Sequence, residues 1–182
     1  MTPKEKPILA WGKRVSPLFR KRAREVAKRL GVHPSDLMAC MAFESAYSFR
    51  SDIQNPKSGA TGLIQFMPST LAAMGLTVGD IITQTPEDQL LVVELYFEPW
   101  KRRGLKTLSD LYMAILWPAG IGKPEDHVLF TKSNQRRPKL YLQNHGLDFN
   151  KDGTITKAEA AACVAAALKR GLKPANVHIG DG

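Results

Sequence analysis

The chain is poor in the features that would place it in several large classes. It has only two cysteines in 182 residues, Cys40 and Cys163, and neither lies in a CxxC pair. A disulfide scaffold and a dithiol redox centre are therefore not expected, and both thiols read as small side chains buried in helices. Four histidines, His33, His127, His145 and His178, are scattered, without HExxH or another zinc spacing, so catalytic zinc is not expected. No apolar run approaches the ~20 residues of a membrane span. The N-terminal stretch MTPKEKPILAWGKRV lacks the apolar core of a secretory signal, so delivery by another route is expected. No internal repeat is visible.

Acidic residues are scarce in one region. Residues 1–31 carry ten Lys/Arg against Glu5 and Glu25, a balance of +8, so nearly all of the formal charge of +9 sits there. Such a bias suits an anionic partner such as nucleic acid, a lipid head group or a cell-wall polymer. A core-packed helix with a solvated basic face is the plainer reading, with anionic cell-surface contact as the functional one. No nucleic-acid reading motif accompanies the charge, so a specific nucleic-acid partner is not expected.

What is present is helical patterning. Ser16-Pro17 starts a helix that Gly31 stops, with Phe19, Ala23, Val26, Ala27 and Leu30 on one face. A second helix runs from about Pro34 to Ala46. Residues 48–59 read as a loop, PSTLAAMG as a short helix, and Thr85 as the cap of a helix to about Arg102. Thr107 or Ser109 caps another that ends near Trp117-Pro118. Residues 119–140 read as mostly irregular, and an alanine-rich helix over about 157–170 is closed by Gly171. No convincing sheet emerges, so the fold class is mainly α.

Two stretches carry chemistry. The first is LMACMAFES, in which Glu44 interrupts an apolar run. A buried carboxylate is costly unless it is paired, hydrogen-bonded or protonated. Glu44 is thus either a structural partner, with Arg50 the nearest candidate, or a proton donor kept neutral by its surroundings. The second is DFNKDGTITKAE at 148–159. Asp148, Asn150 and Asp152 fall at positions 1, 3 and 5 of a twelve-residue loop. Gly153 stands at the sharp turn, Thr154 offers a carbonyl at position 7, Thr156 can act through water, and Glu159 at position 12 can bind with both oxygens. This loop resembles an EF-hand or dockerin-like calcium site. With no second loop and no Met-rich groove nearby, structural calcium is expected rather than a signalling switch.

Read together, Glu44-Ser45, Ser58-Gly59-Ala60 and GLIQFMP at 62–68 resemble the catalytic core of the lytic transglycosylases and goose-type lysozymes, over about residues 33–120. The resemblance implies a lysozyme-like α-helical domain at 1–142, with the calcium loop and last helix at 143–182 packed on it. It implies a peptidoglycan substrate and cleavage of the MurNAc–GlcNAc β-1,4 bond, with Glu44 as acid and then base. Around it, Ser45 could bond Glu44 or substrate, Gly62 could let backbone approach the sugar, Gln65 could bond an acetamido group, and Met67 could form an apolar wall. LYMAILWPAGIG at 111–122 resembles the family's Ala-Tyr-Asn-Ala-Gly element, but Trp117 and Pro118 stand where Tyr and Asn would be. Trp117 could stack on a sugar, and Tyr112 or Tyr141 could supply the hydroxyl. Glycoside hydrolysis commonly uses two carboxylates. Asp52 is the best second one, and a solvated loop acid is its plainer reading. The single obvious carboxylate favours a lytic transglycosylase that forms a 1,6-anhydro-muramoyl end; a hydrolytic lysozyme and a non-enzymatic wall-binding or virion module are the alternatives. Compactness and the missing signal point to a phage-encoded protein acting on the host wall or carried in the virion.

Overall fold

The computed structural model describes residues 7–134 and 136–180. Among them the chain forms eight α-helices and two small two-stranded sheets. Helix α1 (Pro17–Leu30) begins where Ser16 accepts the Phe19 amide and ends at Gly31, whose positive φ of 72° lets its amide reach Ala27 and Lys28. Its apolar stripe is buried as the periodicity predicts.

Helix α2 (Pro34–Glu44) is the centre of the molecule. Leu37, Met38, Ala39, Cys40, Met41 and Ala42 are all fully buried, so the helix is enclosed on nearly every side. It packs against α1, α6 (Leu108–Leu116) and α8 (Lys157–Gly171). It stops two residues earlier than the sequence predicts. Ala46, Tyr47 and Phe49 all take positive φ, 50°, 64° and 53°, which no continuing helix allows.

After the irregular segment 48–66 come α3 (Pro68–Ala73), α4 (Val78–Ile82) and α5 (Pro86–Lys101). Helix α4 is not anticipated by the sequence reading. Its five residues are too few for periodicity, although Thr77 and Asp80 form a capping box. Thr85 caps α5 and Thr107 caps α6, as expected. The stretch 119–140 is less irregular than its composition suggests. It holds β2 (Val128–Thr131), antiparallel to β3 (Thr154–Thr156) with Phe130 opposite Ile155, and the start of α7 (Pro138–Asn144). The second sheet pairs β1 (Ile8–Leu9) with β4 (His178–Ile179), joining the two ends of the described chain. Strands this short leave no alternating pattern to read.

The C-terminal helix shares the common core. Ala160, Ala161 and Val164 of α8 are buried with Leu37 and Met41 of α2 and Met113 of α6. Gly171 does not close α8 by a left-handed turn. It is the last residue of the helix, and a Cβ there would overlap the Trp11 indole, so glycine permits close packing instead. The two cysteines are free, Cys40 buried and Cys163 half-buried.

Several basic side chains of the N-terminal region are engaged in intramolecular contacts. Arg22 pairs with Asp88 at 2.6 Å, and Arg29 forks onto Glu94 at 2.5 and 2.7 Å, tying α1 to α5. Arg20 donates to the Gly12 and Val15 carbonyls, and Arg24 to those of Pro7 and Gly180. Lys4, Glu5 and Lys6 lie outside the described residues. No helix among the described residues is long and apolar enough to cross a membrane.

Candidate active site

Glu44 is the last residue of α2 and lines a cleft of about 420 Å³. Phe43, Ala60, Met67, Tyr112, Ile115 and Leu116 supply apolar walls, and Asn55 and Gln65 are its other polar groups. Among the described residues the Glu44 carboxyl has no hydrogen bond and no ion pair. Arg50 does not reach it. Its guanidinium forks onto Asp52, Nε to Oδ1 and Nη2 to Oδ2, both at 2.8 Å. Burial pushes the Glu44 carboxyl up to about 7. Its place at a helix C-terminus also disfavours the anion, since the macrodipole is negative there. Of the two readings of this carboxyl, the structural ion pair with Arg50 is thus replaced by an unpaired acid facing a cleft.

Ser45, expected beside the acid as a contact for Glu44 or substrate, does not line the cleft. It is fully buried, donates to the Met41 carbonyl at 2.7 Å and accepts the Phe49 amide at 3.0 Å. Its hydroxyl therefore bridges the end of α2 to the left-handed turn and fixes where the chain leaves Glu44. Trp11 backs the same turn, with ring centroids 5.3 Å from Tyr47 and 6.3 Å from Phe49.

Gly62 also has a different reason from the one expected. Its φ is +85°, and a Cβ would overlap the Gln89 carboxamide rather than a ligand. Gln89 is fully buried on α5. It accepts the Leu63 amide at 2.7 Å and donates to the Ser51 and Ile81 carbonyls. The sequence reading missed Gln89. Its signal was a polar residue in register with the buried Val93 and Phe97, at spacings of four.

Gln65 and Met67 do line the cleft. Gln65 has φ of 53° and donates Nε2 to the Gly62 and Ile53 carbonyls at 3.1 and 3.3 Å. Both amide hydrogens are used inside the protein, and the carbonyl oxygen remains as an acceptor. Met67 is 44% exposed at the start of α3. Tyr112 lines the cleft, edge-on to Phe43, and burial followed by the charge of Glu44 raises its phenol. Tyr96, unanticipated, donates to the Ala114 carbonyl at 2.8 Å, and burial with the Glu44 charge pushes it up to about 12.

Three expected site residues lie elsewhere. Asp52 does not line the cleft. Its exposed carboxyl is held below the usual range by the hydrogen bonds from Arg50, so a second cleft carboxylate is not at that position. Trp117 packs edge-on against Phe130 and lines a separate groove. Tyr141 donates to Asp148 Oδ2 at 2.6 Å and belongs to the acidic loop.

That loop is closed by its own hydrogen bonds. Asp148 Oδ2 also accepts the Gly153 amide, Asp152 Oδ1 accepts the Thr154 amide, and Asn150 Oδ1 accepts the Asp152 amide. Glu159 Oε2 accepts the Thr156 amide and hydroxyl in a capping box. Two carboxylate oxygens, Asp148 Oδ1 and Glu159 Oε1, are buried without a partner. Among the described residues no three His, Cys, Asp or Glu side chains cluster around one point.

A comparison with curated proteins found none that matches. A comparison with family models found one, described as the transglycosylase SLT domain, at residues 21–96. The matched segment runs from α1 into α5 and includes Glu44, Ser45, Gly62, Gln65 and Met67 but neither Trp117 nor the acidic loop. Over that segment, which is less than half of the chain, the protein is similar to the transglycosylase SLT domain, and its mainly helical architecture is consistent with such a domain.

Proposed function

We propose that the protein is a lytic transglycosylase that cleaves the MurNAc–GlcNAc β-1,4 bond of peptidoglycan. The observation that carries this reading is one unpaired carboxyl, raised to about 7, as the sole acid lining the cleft among the described residues. Near neutrality such a group still holds the proton that the leaving oxygen needs. Glu44 donates it to the glycosidic oxygen, and the C1–O bond breaks with positive charge developing at C1 of MurNAc. The sugar's own N-acetyl oxygen shields that charge. Glu44, now a carboxylate, takes the proton of the C6 hydroxyl as that oxygen bonds to C1. The product is a 1,6-anhydro sugar, and no water is consumed. Gln65, whose carbonyl oxygen is uncommitted within the protein, can accept the acetamido N–H. Tyr112 can donate its hydroxyl, and Met67 and Ile115 present apolar surface to a ring face.

Hydrolysis through Asp52 is less well supported, because that carboxylate is exposed and tied to Arg50. Mass spectrometry of the fragments released from purified walls decides between the two. Anhydro ends, one water lighter than hydrolysed ends, are expected, and exclusively hydrolysed ends refute the transglycosylase assignment.

The acidic loop belongs to the same proposal as a structural calcium site. The chemistry of the donor set fits, being hard oxygens only. The two orphaned oxygens, Asp148 Oδ1 and Glu159 Oε1, sit at the first and last loop positions, where a cation would offset their burial. Asp148, Asn150, Asp152, Thr154 through its carbonyl, and Glu159 would hold it. Calcium at about 100 times its Kd stabilises by roughly 2.7 kcal/mol. For a chain of this length that corresponds to a Tm higher by about 5–10 °C. Thermal scans with calcium and with a chelator read this directly, and a Tm indifferent to calcium removes the site.

A further inference from the structure

A second groove, of about 450 Å³, is lined by Trp117, Arg136, Arg137, Lys139 and Leu140. It opens one residue along from the cleft wall, since Leu116 faces the Glu44 cleft and Trp117 faces this groove. Its chemistry differs sharply from that of the cleft: three cations beside an indole, with no acid among the lining residues. The Trp117 ring is fixed edge-on against Phe130, with centroids 5.1 Å apart. The amides of Arg136 and Arg137 both donate to Asn134 Oδ1, at 3.0 and 3.1 Å, which sets the turn that carries the two guanidinium groups. Among the described residues no ion pair or hydrogen bond engages the side-chain charges of Arg136, Arg137 or Lys139. The contrast is with α1, where Arg22 and Arg29 are neutralised by Asp88 and Glu94.

We propose that this groove binds the carboxylates of the peptidoglycan stem peptide, making the protein selective for peptide-bearing over bare glycan strands. The inference rests on the muralytic reading of the Glu44 cleft. The stem is amide-linked to the carboxyl of the lactyl group on O3 of MurNAc, the sugar whose C1 is attacked, so it leaves the cleft within about one sugar of the scissile bond. Its side and terminal carboxylates are complementary in charge to a groove lined by three cations. Guanidinium forks suit carboxylates in particular. The indole and Leu140 give the alkyl parts of the peptide an apolar bed.

The test compares kcat/KM on glycan strands that keep their stems with strands stripped by an amidase. For the wild type the stem-bearing substrate is preferred, and rising salt erodes the preference because exposed charges are screened. In the triple variant Arg136→Gln, Arg137→Gln, Lys139→Gln, the ratio of the two kcat/KM values falls about tenfold, through KM. An unchanged ratio overturns the groove assignment. Should the triple variant fail to fold, titration of the Glu44→Gln protein with a free stem tetrapeptide, followed at the Trp117 indole proton, replaces it. Shifts that vanish when the peptide carboxylates are amidated support the proposal, and shifts that persist overturn it. Preference for a polyglycerol phosphate over the peptide assigns the groove to a wall phosphodiester instead and likewise overturns it. If the wild type cleaves neither glycan, the muralytic reading itself has failed, an outcome distinct from cleavage of both at equal rates.

Discussion

Replacing Glu44 with glutamine lowers turnover of purified cell walls by roughly 10²–10⁴-fold, the usual contribution of a positioned general acid. Glutamine keeps the shape and the position at the end of α2, but it cannot give up a proton to the leaving oxygen. The same change raises stability, and the sign follows from the carboxyl itself. Its folded value, about 7, lies above the ordinary 4.5. Between those values the folded protein retains a proton that the unfolded chain has released, so rising pH destabilises the wild type across that window. The loss is complete somewhat above pH 7 and amounts to about 3 kcal/mol. Glu44→Gln is free of it. The variant is therefore more stable than the wild type at pH 8 and no more stable at pH 4, where both side chains are neutral. Urea titrations at the two pH values measure the difference. Activity of the wild type falls as pH rises past about 7, when the proton donor is lost. Wall clearing by a well-folded Glu44→Gln protein would remove the residue from the role given to it.

Glu44 is the most legible candidate site residue in the chain. A charge inside LMACMAFES conflicts with the burial pattern around it, and local pattern is what sequence reading handles well. The caps of α1, α5 and α6 were legible for the same reason, since each depends on residues within four positions of the cap. What was not legible depends on partners far apart in sequence. Gly62 meets Gln89 from α5, and Gln89 in turn reaches Ser51, 38 residues away. Nothing in GATGLIQFMP announces that arrangement. Ser45 looked like a neighbour of the acid available to substrate. It turns inward because the chain reverses after Glu44 through three left-handed residues, none of them glycine. Arg50 had two candidate acids in its vicinity, and the one two residues away won. Trp117 was placed correctly at the end of α6, but its ring goes to Phe130, which belongs to a strand too short to show a period.

The largest stability effect outside the cleft is expected at Lys157. Its ammonium, 1% exposed, lies 2.6 Å from Asp110 Oδ1 and 2.7 Å from the Lys123 carbonyl. Asp110 also accepts the Gly122 amide and the Thr107 hydroxyl. The amides of Lys157 and Ala158 bind the carbonyls of His127 and Glu125. The start of α8 is thereby clamped to α6 and to the loop between them, and α6 is the helix that presents Tyr112, Ile115 and Leu116 to the cleft. Lys157→Met keeps the length of the side chain but strands a buried carboxylate, at a cost of about 3–5 kcal/mol. Replacing both partners, Lys157→Met with Asp110→Leu, costs less than the single change predicts, because no unpaired charge remains. The pH dependence separates this account from simple loss of packing. Burial alone raises the Asp110 carboxyl, but its hydrogen bonds from Lys157, Gly122 and Thr107 outweigh that and hold it below the ordinary 3.8. Its stabilising contribution is therefore present above pH ~4 and lost as pH falls through the lower folded value. The gap in stability between wild type and Lys157→Met is largest at neutral pH and narrows below pH ~4, where the stranded acid is neutral. A gap of constant size across that range would assign the effect to packing of the lysine stem rather than to the ion pair.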